Sequence, residues 1–238
     1  MSETIKVGEV SAYLSKPDGL IKGALILIHE VWGLNDHTKN VADRFSAEGY
    51  IVVAPNFMEG TPIESIVTDD LQKDLFNPEK RTEVQPKIRE LTTPLRSPKF
   101  CEATTKNLQA YFNYLYELPE ANKNVSIVGF CFGGTYSFNL AANESRLKRA
   151  VPFYGHADSI LDKLNQIKCP ILAFYGEKDE ALMSNLDELK KKMSDAGVDF
   201  NAVVYPNCGH AFFNDTNPYA YNQEAAEDAW KKTLNFLA

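Results

Sequence analysis

Cysteine is scarce and scattered: the four residues, Cys101, Cys131, Cys169 and Cys208, form no C-x-x-C pair. That spacing fits reduced thiols better than a disulfide frame or a zinc site, so a cytoplasmic location is expected. No apolar run approaches the ~18 residues of a membrane span. The opening Met1-Ser2-Glu3-Thr4-Ile5-Lys6 lacks the apolar core of a signal peptide. Positive charge is in deficit, with 25 Lys and Arg against 32 Asp and Glu and a net charge of −7. Nucleic acid and anionic membranes need clustered basic residues, so the charge argues against them as main partners while allowing a local basic pocket for a small anion. Repeats, low-complexity tracts and linkers are also missing, so residues 1–238 read as one domain, which would bury roughly three quarters of its unfolded surface.

What is present is alternation. Apolar runs alternate with amphipathic stretches, the pattern of a mostly parallel sheet with helices on both faces. Val10–Leu14 reads as an edge strand ended by Lys16-Pro17-Asp18-Gly19, and Ala24–Ile28 as a continuous buried strand. Asn35 or Asp36 can cap a helix through Glu48, with Gly49 at its end and a strand at Tyr50–Ala54 beyond it. Pro62, Pro78, Pro86, Pro94 and Pro98 interrupt residues 56–98, which form either a partly helical cap or insertion over a site or a surface excursion. A helix is expected over Lys99–Leu118, strands at Ala150–Tyr154, Ile171–Tyr175 and Phe200–Tyr205, and helices over Ser184–Ala196 and Tyr219–Leu237.

Gly129-Phe130-Cys131-Phe132-Gly133-Gly134 carries the most information. It follows the apolar run Val125–Val128 and precedes helix-compatible sequence, Thr135 to Asn143. That is the setting of a nucleophile elbow, a strained strand-to-helix turn whose flanks must be small, here with cysteine where serine is usual. A thiolate is the nucleophilic form of cysteine, and the start of a helix helps to sustain it. Asp179 lies in Gly176-Glu177-Lys178-Asp179, just past a predicted strand, where an orienting acid is expected; Glu177 is its rival. His210 lies in Pro206-Asn207-Cys208-Gly209-His210, past the next strand. The order nucleophile, acid, histidine is that of α/β-hydrolases. His210 would take the Cys131 proton and later protonate the leaving group, while Asp179 fixes its tautomer. Acyl transfer also needs donors for an oxyanion, and the backbone N–H groups of Phe132 and Val31 are the candidates.

These residues together resemble the dienelactone hydrolase family of α/β-hydrolases, over nearly the whole chain. The marks are His29-Glu30-Val31-Trp32-Gly33-Leu34-Asn35, Gly49-Tyr50-Ile51-Val52-Val53-Ala54-Pro55, the Cys131 elbow and Gly209-His210-Ala211-Phe212. The resemblance implies an α/β-hydrolase fold and hydrolysis of small lactones or activated esters by a Cys131–His210–Asp179 triad, with neither cofactor nor metal. It also implies that Glu30 interacts with the cysteine and controls its activation; His29 is read as structural. Members acting on the dienelactone hold its carboxylate with a polar side chain and an arginine shortly after the histidine. This chain has Ala211-Phe212-Phe213-Asn214 there, and Arg81, Arg89 and Arg96 are its unranked alternatives. A neutral or aromatic ester fits better, with Trp32, Tyr154 and Phe212 as candidate pocket residues. Two other readings use the same residues: a thiol protein in which Cys131 responds to peroxide with Cys208 as resolving partner, and a non-catalytic binding module on this scaffold.

Overall fold

The computed structural model describes residues 1–238, the side chains of Asp69 and Gln72 excepted. In chain order the elements are β1 (Ser2–Val7), β2 (Val10–Ser15), β3 (Gly23–Ile28), α1 (Asp36–Ala47) and β4 (Tyr50–Pro55). There follow α2 (Pro62–Ile66), α3 (Asp69–Phe76), α4 (Arg81–Thr92), α5 (Pro98–Glu117), β5 (Val125–Phe130) and α6 (Phe132–Asn143). The chain closes with β6 (Ala150–Phe153), β7 (Ile171–Gly176), α7 (Glu180–Asp195), β8 (Phe200–Tyr205) and α8 (Gln223–Leu237). The strands form one eight-stranded sheet in the order β1-β2-β4-β3-β5-β6-β7-β8. Pairing is antiparallel between β1 and β2 and between β2 and β4, and parallel at every other contact.

The central strands are apolar throughout because both their faces are covered. Every residue of β3, β4, β5 and β7 is buried. On one face Phe45 of α1 meets Trp230 of α8, ring centroids 4.4 Å apart, and Tyr205 of β8 reaches Asp228 of α8. The other face carries α5, α6 and α7, so successive residues of β7 point to opposite layers. Phe174 stacks with Tyr205 at 6.1 Å, on the α8 side, and Tyr175 lies under α7.

Three expectations need correction, one at the sheet edge and two at helix starts. Val10–Leu14 is not an edge strand, because β1 pairs outside it from Ser2↔Ser15 to Val7↔Val10. The outer strand is largely exposed, so it carries no apolar run to announce it. Helix α7 begins four residues earlier than the periodicity indicates, with Asp179 as its N-cap. Conversely α8 begins later, because residues 211–221 remain in turns until Asn222 caps it by accepting from the Ala225 N–H at 3.0 Å.

Residues 56–98 are mostly helical, comprising α2, α3, α4 and a 3-10 turn at Thr93–Arg96. They form a small apolar cluster of their own around Met58, Ile63 and Leu95. Val31 and Phe132 pack against that cluster, which joins the segment to the ends of β3 and β5.

Candidate active site

The carboxyl ends of parallel strands in an open α/β sheet are where such folds gather ligands, and four of the predicted residues follow such ends. Glu30 follows β3, Cys131 follows β5, Asp179 follows β7 and His210 follows β8.

Cys131 is held at φ +53°, ψ −107°, at the N-cap of α6. A non-glycine residue there is strained, so the surroundings must enforce it. The enforcement is steric: a Cβ on Gly129 would lie 2.1 Å from the Gly133 carbonyl oxygen, and one on Gly133 would lie 2.3 Å from that of Ile28. With both glycines in place the turn closes tightly. The Cys131 N–H reaches the Phe153 carbonyl at 3.0 Å, and the Gly133 N–H reaches that of His29 at 3.2 Å. The second bond fixes the loop after β3 beside the start of α6. Among the described residues neither the Val31 N–H nor the Phe132 N–H has an acceptor. An unpaired donor is normal at the first turn of a helix and is available to an incoming anion.

His210 and Asp179 meet, Nδ1 to Oδ2, at 2.5 Å. Asp179 occupies an N-cap, where aspartate ordinarily accepts from the helix's own N–H groups. Its side chain makes no such bond and is committed to the histidine. Glu177, the rival acid, instead accepts from the Asn207 N–H at 2.9 Å and so braces the loop carrying His210. Gly176 permits that loop to cross the end of β7, since a Cβ there would lie 2.4 Å from the Gly209 carbonyl oxygen. Cys131 is near enough to His210 to influence its titration; with Nδ1 given to Asp179, Nε2 is the nitrogen left to face it. Burial works against the imidazolium, but the nearby Cys131 and the hydrogen bond that the ring donates to Asp179 outweigh it. The His210 pKa is thereby held well above the ordinary histidine value.

Glu30 is buried, and its carboxylate has two neutral partners. The Tyr154 hydroxyl donates to Oε1 at 3.2 Å and the Asn214 amide to Oε2 at 2.8 Å. Asn214 has its orientation set by Thr216, whose N–H and hydroxyl donate to Asn214 Oδ1 at 3.1 and 2.7 Å. That leaves the amide nitrogen to face Glu30. Tyr154 sits at φ +39°, its ring centroid 5.0 Å from that of His210. Burial first, then the charges of Glu30 and Cys131, push its phenol pKa well up, so the hydroxyl remains a donor. Ala211 is likewise at φ +63°, which places a third strained residue beside Cys131 and Tyr154.

His29 is fully buried. Its Nδ1 lies 2.5 Å from the Glu30 carbonyl oxygen, its Nε2 accepts from the Phe57 N–H at 3.1 Å, and its ring stacks on Phe132. Burial lowers its pKa to about 4. Of the aromatic candidates, Trp32 is half-buried in the turn after Val31. Phe212 is wholly buried against Tyr154 and Tyr205 and presents no surface to a ligand, which corrects its reading as a pocket residue. Arg81, Arg89 and Arg96 are all exposed. Sequence reasoning missed Asn214 as a partner of Glu30, 184 positions away in the chain; only the buried polar residue closing Phe212-Phe213-Asn214 hinted at it. Among the described residues no cluster of His, Cys, Asp and Glu is placed to hold a metal ion.

A mostly parallel sheet in this order, helices on both faces and a strained turn after β5, is the α/β-hydrolase fold. The model of the dienelactone hydrolase family matches residues 10–238. A protein of Saccharolobus solfataricus, provisionally named a carboxymethylenebutenolidase, is 32% identical over 246 residues, covering 96% of this chain and 93% of its own. Among solved structures, a provisionally named dienelactone hydrolase from Klebsiella pneumoniae superposes with a TM-score of 0.83 at 21% identity, covering 100% of this chain and 98% of its own. A dienelactone hydrolase-like promiscuous phosphotriesterase from metagenomic libraries gives 0.75 at 19%, covering 100% and 97%. Identities that low speak for the fold alone. The chain belongs to the dienelactone hydrolase family and is a lactone or ester hydrolase.

Proposed function

We propose that the chain hydrolyses small neutral esters or lactones through a covalent thioester on Cys131, with His210 as acid and base and Asp179 orienting the imidazole. The observation that carries this reading is the Asp179–His210 hydrogen bond of 2.5 Å, made by an N-cap aspartate that leaves its helix uncapped, with Cys131 near the same histidine. The raised His210 pKa suits a base that takes the Cys131 proton.

The thiolate attacks the carbonyl carbon of the substrate, and the oxygen that becomes negative is received by the Val31 and Phe132 N–H groups. As the intermediate collapses, the C–O bond breaks and His210 Nε2 gives its proton to the departing alkoxide. Neutral His210 then removes a proton from water, the hydroxide adds to the thioester, and collapse restores the thiolate and releases the acid. Donors already aimed at the oxyanion need no reorganisation during the reaction, and one of them is typically worth ~10²–10³ in rate.

Residues 56–98 act as a cap over this site, because their apolar cluster packs on Val31 and Phe132. Apolar cover and exposed arginines favour a neutral acyl group over an anionic one. Glu30 serves as the carboxylate that tunes thiolate formation, held by Tyr154 and Asn214 rather than by an arginine.

The test is steady-state hydrolysis of a neutral aryl acetate beside a dienelactone, with wild type and Cys131→Ala. Turnover that favours the aryl ester and vanishes in the variant is the expected result. Equal rates in the two proteins would overturn the mechanism, and a preference for the dienelactone would overturn the substrate class.

A further inference from the structure

The sheet ends in β1 on one side and β8 on the other, and the two edges are built differently. The largely exposed β1 carries Glu3 and Lys6, and charges of that kind are the usual protection of an edge against pairing with another chain. β8, Phe200-Asn201-Ala202-Val203-Val204-Tyr205, has no charge and no proline, and its register with β7 runs without a bulge. Its composition favours pairing. Asn201 is exposed and the three residues after it are only half-buried, so the edge is open to a partner.

The backbone groups on offer follow from the ladder. The Ile171 N–H bonds the Asp199 carbonyl at 2.8 Å, and the Glu177 N–H bonds that of Tyr205 at 3.0 Å. In a parallel pair of that register the odd-numbered residues of β8 bond β7. The N–H and C=O groups of Phe200, Ala202 and Val204 therefore point away from the sheet, and among the described residues none of them has another partner.

We propose that β8 is the interface of a homodimer, with a second copy of the chain pairing antiparallel about a two-fold axis at Ala202. Phe200 then exchanges both backbone bonds with the partner's Val204, and Ala202, the smallest side chain of the strand, meets its own counterpart on the axis. The flanking helix is what selects a second copy over another strand. Leu182, Leu186 and Met193 of α7 are buried, while Asn185, Glu188 and Lys192 turn to the flank that meets Gly155 and His156 after β6. Helical spacing turns Asp187 and Lys190 to the opposite flank, over the outer side of β8. Seven residues of helix from Glu180 and three of strand from Tyr205 each descend about 10 Å, so Asp187 lies level with Ala202. Within one chain these two side chains pair at 3.6 Å with Asp187 fully exposed. The two-fold axis sets each Asp187 beside the partner's Lys190, so unlike charges meet across it.

Sedimentation velocity of the full chain over a micromolar dilution series should show a dimer in equilibrium with monomer. Hydrogen exchange at the Phe200, Ala202 and Val204 amides should slow in step with the dimer fraction, while exchange along β1 stays the same. Ala202→Pro removes the N–H on the axis, a change that an edge strand tolerates, and should raise the dimer Kd at least tenfold with native circular dichroism. Lys190→Glu should raise it several-fold, and exchanging the pair, Asp187→Lys with Lys190→Asp, should restore it. A monomer at every concentration would overturn the proposal, and so would a dimer whose β8 amides exchange at the monomer rate. A Kd unchanged in folded Ala202→Pro or in Lys190→Glu would overturn it equally.

Discussion

Single side chains at this site are shared between competing duties, and the competition makes their roles testable. Asp179 could cap α7 or bind His210, and it binds His210. Asp179→Asn keeps the shape but removes the acceptor that sets the tautomer, so kcat should fall roughly a thousand-fold or more with little change in fold. Loss of under tenfold in a steady-state assay would contradict the assignment. Asn214 has a similar position: its amide is the donor to Glu30 Oε2, and Thr216 fixes which end faces the carboxylate. Asn214→Ala leaves a buried acceptor unpaired at a cost of about 1–3 kcal/mol. Glu30→Gln, with the charge gone, should instead change the rate and pH profile of Cys131 alkylation by iodoacetamide more than it changes thermal stability. An alkylation profile identical to wild type would remove Glu30 from the account.

Elements are positioned by backbone contacts too close for any side chain. The end of β7 and the loop carrying His210 touch at Gly176, where a Cβ would lie 2.4 Å from a backbone oxygen. Gly176→Ala must displace that loop and with it the Asp179–His210 bond. We expect activity to fall at least a hundred-fold while circular dichroism remains native, and wild-type activity in this variant would show that the loop has slack. This scale also separates what could be read from sequence and what could not. The buried strands β3, β4, β5 and β7 announce themselves as apolar runs, and the elbow announces itself because only glycine fits two residues to either side of Cys131, at Gly129 and Gly133. The exposed strand β1 has no such run, and only Ile5 and Val7 of it pack against the core. The helices α2, α3 and α4 are short and proline-marked, and their cluster on Val31 and Phe132 depends on contacts distant in sequence. Phe212 read as a pocket aromatic, since burial from both sides is a property of the folded layer and not of the residue type.

For the whole molecule, the histidines impose a pH dependence whose signs oppose. His29 is neutral in the folded state down to about pH 4, whereas the unfolded chain protonates it near 6.5. As pH falls through that window the unfolded state binds more protons, so stability is lost, by roughly 3 kcal/mol at most. His210 runs the other way: its raised folded pKa adds stability below the unfolded value, and that contribution is lost as pH rises through the folded one. Urea midpoints between pH 6.5 and 4 should therefore drop more steeply in wild type than in His29→Gln, and parallel slopes would contradict the His29 assignment.

The most direct test of the central claim is to quench the enzyme in acid during turnover of a neutral aryl acetate and map the acetyl group by mass spectrometry. The account predicts one acetyl group on the peptide containing Cys131, labile to hydroxylamine as a thioester is. Hydrolysis at full rate with Cys131 unmodified, or acetyl carried on another residue, would contradict it.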